Sequence, residues 1–157
     1  MEQNPYNPPK ASVDGAHITK GSGVKAVVIG LLVDIGGTTV FGIIVSLIWG
    51  FVLASGGMDD KEIQVYFDTS TTFLLASLVY GSAFTGFGGY IAAKIANHQE
   101  YKYAFLVGLF SLIIGEIFIA FMDNYPIWHR IAGDLIIIPV AVYGGHLRVV
   151  AKRKMKI

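Results

Sequence analysis

Three carboxylates stand inside long apolar stretches, and they are the residues of this sequence best suited to chemistry. Asp34, Glu116 and Asp134 each lie within a run composed mostly of Val, Ile, Leu, Phe and Gly. A charged side chain in hydrocarbon costs at least about 2.5–3.5 kcal/mol, so such groups face protein or water, form pairs, or carry a proton. The pattern therefore favours either proton or cation handling, or hydrogen bonding between helices.

The candidate polar site comprises Asp34, Thr38, Glu116, Arg130 and Asp134. Asp34 lies about ten residues into its run, which is roughly 15 Å along a helix and near the middle of a bilayer. Glu116 and Asp134 lie about six or seven residues from the adjoining ends of their runs, so we expect them at similar depth. Arg130 precedes Asp134 by four residues, which makes a salt bridge within one helix available.

The other reactive residue types form no recognisable site. The chain has no Cys, and its four His residues are scattered, so we expect no protein-bound metal or cofactor. His129 sits at the rim of an apolar run and could titrate near neutral pH. Glycines between Phe84 and Gly89 superficially match a phosphate-binding loop, but no strand precedes them. No nucleophile and base have a recognisable spacing, and we predict that the protein is not an enzyme.

The composition assigns the chain to the membrane proteins. Of 157 residues, 54% are hydrophobic and 15% charged, and the mean hydropathy of +0.58 exceeds that of soluble domains. Apolar runs predict an all-α polytopic membrane protein, with a bundle of four transmembrane helices joined by short loops within residues 24–150. The spans are about 24–54, 71–96, 101–122 and 127–150, flanked by a disordered leader (1–23) and a basic tail (151–157).

The first span and the segment after it leave structural alternatives open. At about 46 Å the first span exceeds the roughly 30 Å hydrocarbon core, so it must tilt, protrude or break. Gly36-Gly37 is the weak point, and a straight tilted helix is the favoured alternative. Residues 55–68 form an acidic loop with one or two predicted interfacial turns, and Asp68-Thr69-Ser70 offers caps for the second span. Gly21-Ser22-Gly23 reads as a flexible hinge.

Small residues recur every fourth position in the first two spans. Residues four apart lie nearly above one another on a helix, and such ridges allow close helix packing in bilayers. A four-residue step turns the ridge by roughly 40°, so different parts should meet different helices. The residues predicted to pack helices are Gly30, Gly42, Ser46 and Gly50 in the first span and Gly81, Gly89 and Ala93 in the second.

The basic residues predict which side each terminus occupies. With both termini cytoplasmic, only Lys61 and Arg130 of the 12 Lys and Arg residues fall on the outer side, which the positive-inside rule favours. The inner set is Lys10, Lys20, Lys25, Lys94, Lys102, Arg148, Lys152, Arg153, Lys154 and Lys156. We expect the C-terminal tail to contact anionic lipid rather than nucleic acid.

Three segments resemble known membrane proteins. Asn4-Pro5-Tyr6-x-Pro8-Pro9 resembles the leader of many small bacterial inner-membrane proteins, some of them of RDD type. The segments Leu32–Gly37 and Gly88–Ala96 resemble uncharacterised four-span bacterial families. The resemblance implies a multi-pass protein of the bacterial cytoplasmic (inner) membrane and implies no activity.

Two functions are consistent with the sequence. The favoured one is a small structural or accessory inner-membrane protein, which associates through its small-residue ridges with itself or with a larger membrane partner. The alternative is an oligomeric proton- or cation-linked transporter or channel, in which an outward-facing polar pocket leads to Asp34. In the first case Asp34 is interhelical glue, and in the second it exchanges a proton or binds a cation.

Overall fold

The computed structural model describes residues 21–121 and 126–154, and this part of the chain is all-helical. Within those ranges four helical segments are long and apolar enough to cross a membrane: 23–55, 71–96, 100–119 and 127–154. The predicted all-α class with four such helices is thus confirmed. Residues 1–20 of the predicted leader (1–23), and residues 122–125 between the last two spans, lie outside the described residues.

The first span is one continuous helix with a π-helical turn inside it. Helix α1 (Gly23–Leu31) passes into a π segment (Leu32–Gly36) and then into α2 (Gly37–Ser55). The span is therefore neither a regular straight helix nor broken at the glycine pair. A single π turn inserts one extra residue into the helical repeat and often accompanies a functional site. Here it carries Asp34.

The hinge predicted at residues 21–23 is wrong. The Gly21 N–H donates to the carbonyl of Ala96 at 2.9 Å, which satisfies one of the carbonyls left free at a helix end. The Ser22 hydroxyl accepts from the Lys25 N–H and caps α1. Both residues are therefore fixed against the bundle, and the helix begins at Gly23.

The segment between the first two spans forms a helix where the sequence predicted a loop with short turns. Helix α3 (Asp60–Thr69) begins with a reciprocal capping box between Asp59 and Glu62. Its aromatic face packs on the next helix, with the ring centroids of Phe67 and Phe73 4.6 Å apart. Ser70 then caps α4 (Thr71–Ala96), as one of the three predicted caps.

The last two spans differ from their predicted ends. Helix α5 (Glu100–Ile119) stops short of the predicted 122, and α6 (Ile127–Lys154) continues past the predicted 150 through Pro139. The extra turn is held because the Lys152 ammonium reaches the Glu100 carboxylate at 2.7 Å. Residues 151–154 are therefore part of the bundle rather than a separate tail, and residues 155–157 lie outside the described part.

Helix α4 is the centre of the bundle and packs against α1, the π segment, α5 and α6. The packing is closest near the end of the bundle where α1 begins and α6 ends, which we call the terminal end. A Cβ on Gly88 would lie 2.6 Å from the Gly30 carbonyl oxygen, and one on Gly108 would lie 2.9 Å from the Ala141 Cβ. A Cβ on Gly144 would overlap the Gly86 carbonyl. Glycine at these positions is what lets the backbones meet.

The opposite end of the bundle, which carries α3 and which we call the α3 end, is packed more loosely. No residue of α2 is buried, and in the π segment before it Asp34 is the buried residue. Along the first ridge Gly30 is buried, whereas Gly42, Ser46 and Gly50 are only half-buried. The ridge therefore packs the terminal half of the span and leaves the other half partly uncovered, as the rotation of the ridge implies.

Candidate functional site

Asp34 lies at a junction of three helices and is 4% exposed. The Thr85 hydroxyl of α4 donates to its Oδ1 at 2.8 Å, and the Ser111 hydroxyl of α5 donates to its Oδ2 at 2.5 Å. Each oxygen of the carboxyl thus accepts one hydrogen bond from a different helix. Charge-assisted bonds of this kind are short and roughly twice as strong as neutral ones.

A cavity of about 290 Å³ extends from Asp34 toward the α3 end of the bundle. Parts of the first span, α4, α5 and α6 all contribute to its lining. Its polar lining consists of Asp34, Thr38, Thr39, Ser77, Ser82, Thr85, Ser111, His129, Arg130 and Asp134. The apolar lining consists of Ile35, Leu78, Leu112, Ile114, Phe118, Ile119 and Ile137.

Thr38 lies one helical turn beyond Asp34 and lines the same cavity. Its hydroxyl oxygen is buried and has no hydrogen-bond partner among the residues that the structure describes. Most buried hydroxyls in proteins are paired with protein groups or water, so this one is available to water or to a solute in the cavity. The pair of Asp34 and Thr38 therefore offers polar atoms to an occupant of the cavity.

An ion pair lies nearer the α3 end. The Arg130 guanidinium makes a two-bond contact with the Glu116 carboxylate, with Nε 3.0 Å from Oε1 and the terminal nitrogen on Oε2. This pair joins α5 to α6, and the Arg130 side chain is 49% exposed. A planar guanidinium fits a carboxylate best in this paired geometry.

The salt bridge expected within α6 is not the one that forms. Arg130 bonds to Glu116 rather than to Asp134. Asp134 lies on the same helix as Arg130 and interacts with both the guanidinium and the Glu116 carboxylate. A basic residue placed before an acidic one at this spacing is the less favourable order on a helix. The two-bond contact between α5 and α6 forms instead of the contact within α6. Asp134 lines the cavity and lies beside the Glu116 carboxylate.

His129 is buried and held in place. Its Nε2 lies 3.0 Å from the Leu74 carbonyl and 2.9 Å from the Ser77 hydroxyl. Because a carbonyl only accepts, Nε2 carries the proton and is shared between the two oxygens. The residue predicted to titrate at the rim is thus also a link between α4 and α6.

The structure brings the five predicted polar residues into one region, in which Asp34, Thr38, Arg130 and Asp134 line the cavity and Glu116 pairs with Arg130. The sequence did not identify Thr85 and Ser111 as partners of Asp34. Their hydroxyl groups at about the depth of Asp34 were the signal available.

The predicted packing residues fall into three groups. Gly30, Gly89 and Ala93 are buried at close contacts between helices. Gly81 lines the cavity, and a Cβ there would be 3.9 Å from the nearest atom. The other three, on α2, are the half-buried residues described above.

Within residues 21–121 and 126–154, no group of three or more His, Cys, Asp or Glu side chains is placed to hold a metal ion. The polar groups at and beside the cavity are one buried carboxyl, neighbouring hydroxyls and the charged residues nearer the α3 end. Comparison with protein-family models, with curated protein sequences and with solved structures found no match for this chain.

Proposed function

We propose that the chain is a proton- or cation-linked transporter or channel subunit of a bacterial cytoplasmic membrane. The observation that carries the proposal is the cavity that ends at the buried Asp34 carboxyl. An ionisable group at membrane depth is expensive to keep, so it is by default the centre of a functional hypothesis. In this proposal Asp34 receives the proton or cation, and Thr38 supplies a second polar contact.

The distribution of basic residues supports a proposed orientation of the bundle in the membrane. With most basic residues at the terminal end of the bundle, the α3 end faces outward under the positive-inside rule. The cavity then opens toward the outside, with Glu116 and Asp134 near its mouth. Two carboxyl groups against one guanidinium attract cations and repel anions along the entry path.

A second copy of the chain, or a larger membrane partner, completes the proposed assembly. Four spans are few for a self-sufficient transporter, and α2 has no buried residue. Apolar residues such as Leu47 (68% exposed) and Phe51 (75% exposed) lie along its uncovered side. Lipid also covers such a surface, so the number of chains is a quantity to be measured.

A structural or accessory role remains the second proposal. It is favoured by the way in which Asp34 ties three helices together through Thr85 and Ser111. In that role the carboxyl is a hydrogen-bond acceptor only. Asn keeps the size and most of that capacity, so the two proposals differ in what Asp34→Asn does.

The deciding experiment measures proton movement in liposomes that contain the purified protein and a pH-sensitive dye. Wild type should collapse an imposed pH gradient, and Asp34→Asn should fold with an unchanged helix signal yet lose at least nine-tenths of that flux. Ser46→Ala, which changes a hydroxyl outside the cavity lining, is the matched control and should retain it. Equal flux in wild type and Asp34→Asn would refute transport through Asp34 and favour the structural role.

A further inference from the structure

We propose that the cavity binds a small organic ammonium ion, with its charged nitrogen at Asp34 and its hydrocarbon body against the apolar walls. This inference rests on the proposed function and names the class of cation. It follows from the size of the cavity, the arrangement of its polar atoms and the open side of the bundle.

The cavity is too large and too apolar for a bare metal ion. A water molecule occupies about 30 Å³ in the liquid, so a cavity of about 290 Å³ holds a solute of roughly ten water-sized groups. Hard cations such as Ca²⁺ take six to eight oxygen ligands at 2.3–2.6 Å. Here the oxygen atoms concentrate around Asp34, and side chains such as Leu112 and Phe118 line much of the remainder.

The polar atoms at Asp34 suit an ammonium group. Each carboxyl oxygen accepts one hydroxyl donor and keeps lone pairs for further donors. The unpaired Thr38 hydroxyl, one turn farther along the helix, accepts a second N–H. Pairing with a cation compensates the cost of a buried carboxylate, which gives this position its preference for positive charge.

An entry path for such a ligand exists on one side of the bundle. Helix α2 packs mainly on α3, α4 and the π segment, whereas α5 and α6 pack on α4 and on each other. The cavity is nevertheless lined by Thr38 and Thr39 from α2 together with residues of α5 and α6. We infer that an ion with a hydrocarbon body enters the cavity on this side, between α2 and those helices, from the membrane interface.

The test is calorimetric titration of the purified protein in detergent with 2-phenylethylammonium. The neutral 2-phenylethanol, the anionic 3-phenylpropionate and sodium chloride serve as comparison ligands. We expect saturable binding of the ammonium ion only, with at least tenfold weaker binding to Asp34→Asn. The exposed Asp60→Asn in α3 is the matched control and should bind as wild type does.

A second variant keeps the test valid if Asp34→Asn does not fold. Gly115 lines the cavity, and no atom lies within 4 Å of a Cβ added there, so Gly115→Leu should occupy part of the cavity. It should weaken binding at least tenfold. Gly36 has an equally unobstructed Cβ position and does not line the cavity, so Gly36→Leu should leave binding unchanged.

The outcomes separate this inference from the proposed function. Equal binding of the ammonium ion and the neutral alcohol, or unchanged binding to Gly115→Leu, would overturn the organic-cation assignment. Proton flux that depends on Asp34 without any ammonium binding would overturn it too, while leaving the proposed function intact. If the wild type shows neither proton flux nor ammonium binding, both this inference and the proposed function are refuted.

Discussion

The hydrogen bond between Ser111 and Asp34 should appear as a coupling free energy between α5 and the π segment. Hydrogen bonds to charged groups contribute about 1.5–3 kcal/mol in soluble proteins, whereas side-chain pairs measured within membranes average about 0.6 kcal/mol and reach about 1.7 kcal/mol. The acceptor of the Ser111 bond is a buried carboxyl. We therefore expect a coupling of about 1–1.7 kcal/mol, in the upper part of the membrane range.

The perturbation is a double-mutant cycle with Asp34→Ala, Ser111→Ala and the double variant. The control cycle consists of Asp34→Ala, Ser77→Ala and the double variant that combines them. Ser77 lines the same cavity but bonds to His129, and it precedes Thr85 by eight residues, or roughly 12 Å along α4. Independent sites at such separation add to within about 0.5 kcal/mol.

The assay is reversible unfolding by sodium dodecyl sulfate in mixed micelles, followed by the helical circular-dichroism signal. The free energies of unfolding of the four proteins in each cycle yield the coupling. A coupling for Asp34 and Ser111 that does not exceed the control cycle would refute the view that the carboxyl joins the helices. A coupling of the expected size would establish the junction without deciding whether Asp34 also binds a ligand.

Two further predictions follow from the packing and the charge distribution. A Cβ at Gly89 overlaps the Ala141 backbone, so Gly89→Ala should lower the free energy of unfolding by about 1–3 kcal/mol. At Gly42 a Cβ meets only the end of the Tyr80 side chain, at 3.2 Å, so Gly42→Ala should change the free energy of unfolding by less than about 0.5 kcal/mol. Equal losses in the two variants would contradict the difference in packing between the two ends of the bundle. In the Cys-free chain, Met58→Cys should react with an impermeant thiol reagent in intact cells and Lys154→Cys should not; the reverse pattern would invert the proposed orientation.

The helices were predictable because their signals are local. Apolar length and polar breaks place four spans in the right order, and the largest differences occur where contacts between helices decide the end. Lys152 lengthens α6 by binding Glu100, a residue far away in the sequence. The capping box at Asp59 and Glu62 was readable in the sequence, yet the helix after it was underestimated because its apolar face is short.

The sequence indicated some of the polar residues that line the cavity, but it did not indicate which side chains pair. Depth along each span brings Glu116 and Asp134 to one level, which the structure agrees with. Which hydroxyl meets Asp34 depends on the rotation of each helix about its own axis, and the π turn changes that rotation by adding a residue. The choice of Glu116 as the partner of Arg130 likewise depends on the distance between α5 and α6. The spacing of residues within one helix does not give that distance.

The two ends of the bundle differ in a way that explains where the cavity lies. Toward the terminal end, glycines such as Gly30, Gly88 and Gly144 bring backbones into contact and leave no space for a solute. Beyond Asp34 no residue of α2 is buried, and glycines such as Gly81 and Gly115 line the cavity without bringing backbones into close contact. The carboxyl thus stands at the boundary between the closed and the open part of the bundle. This position at the boundary, beside the cavity, is the reason for which we propose that Asp34 takes part in the function.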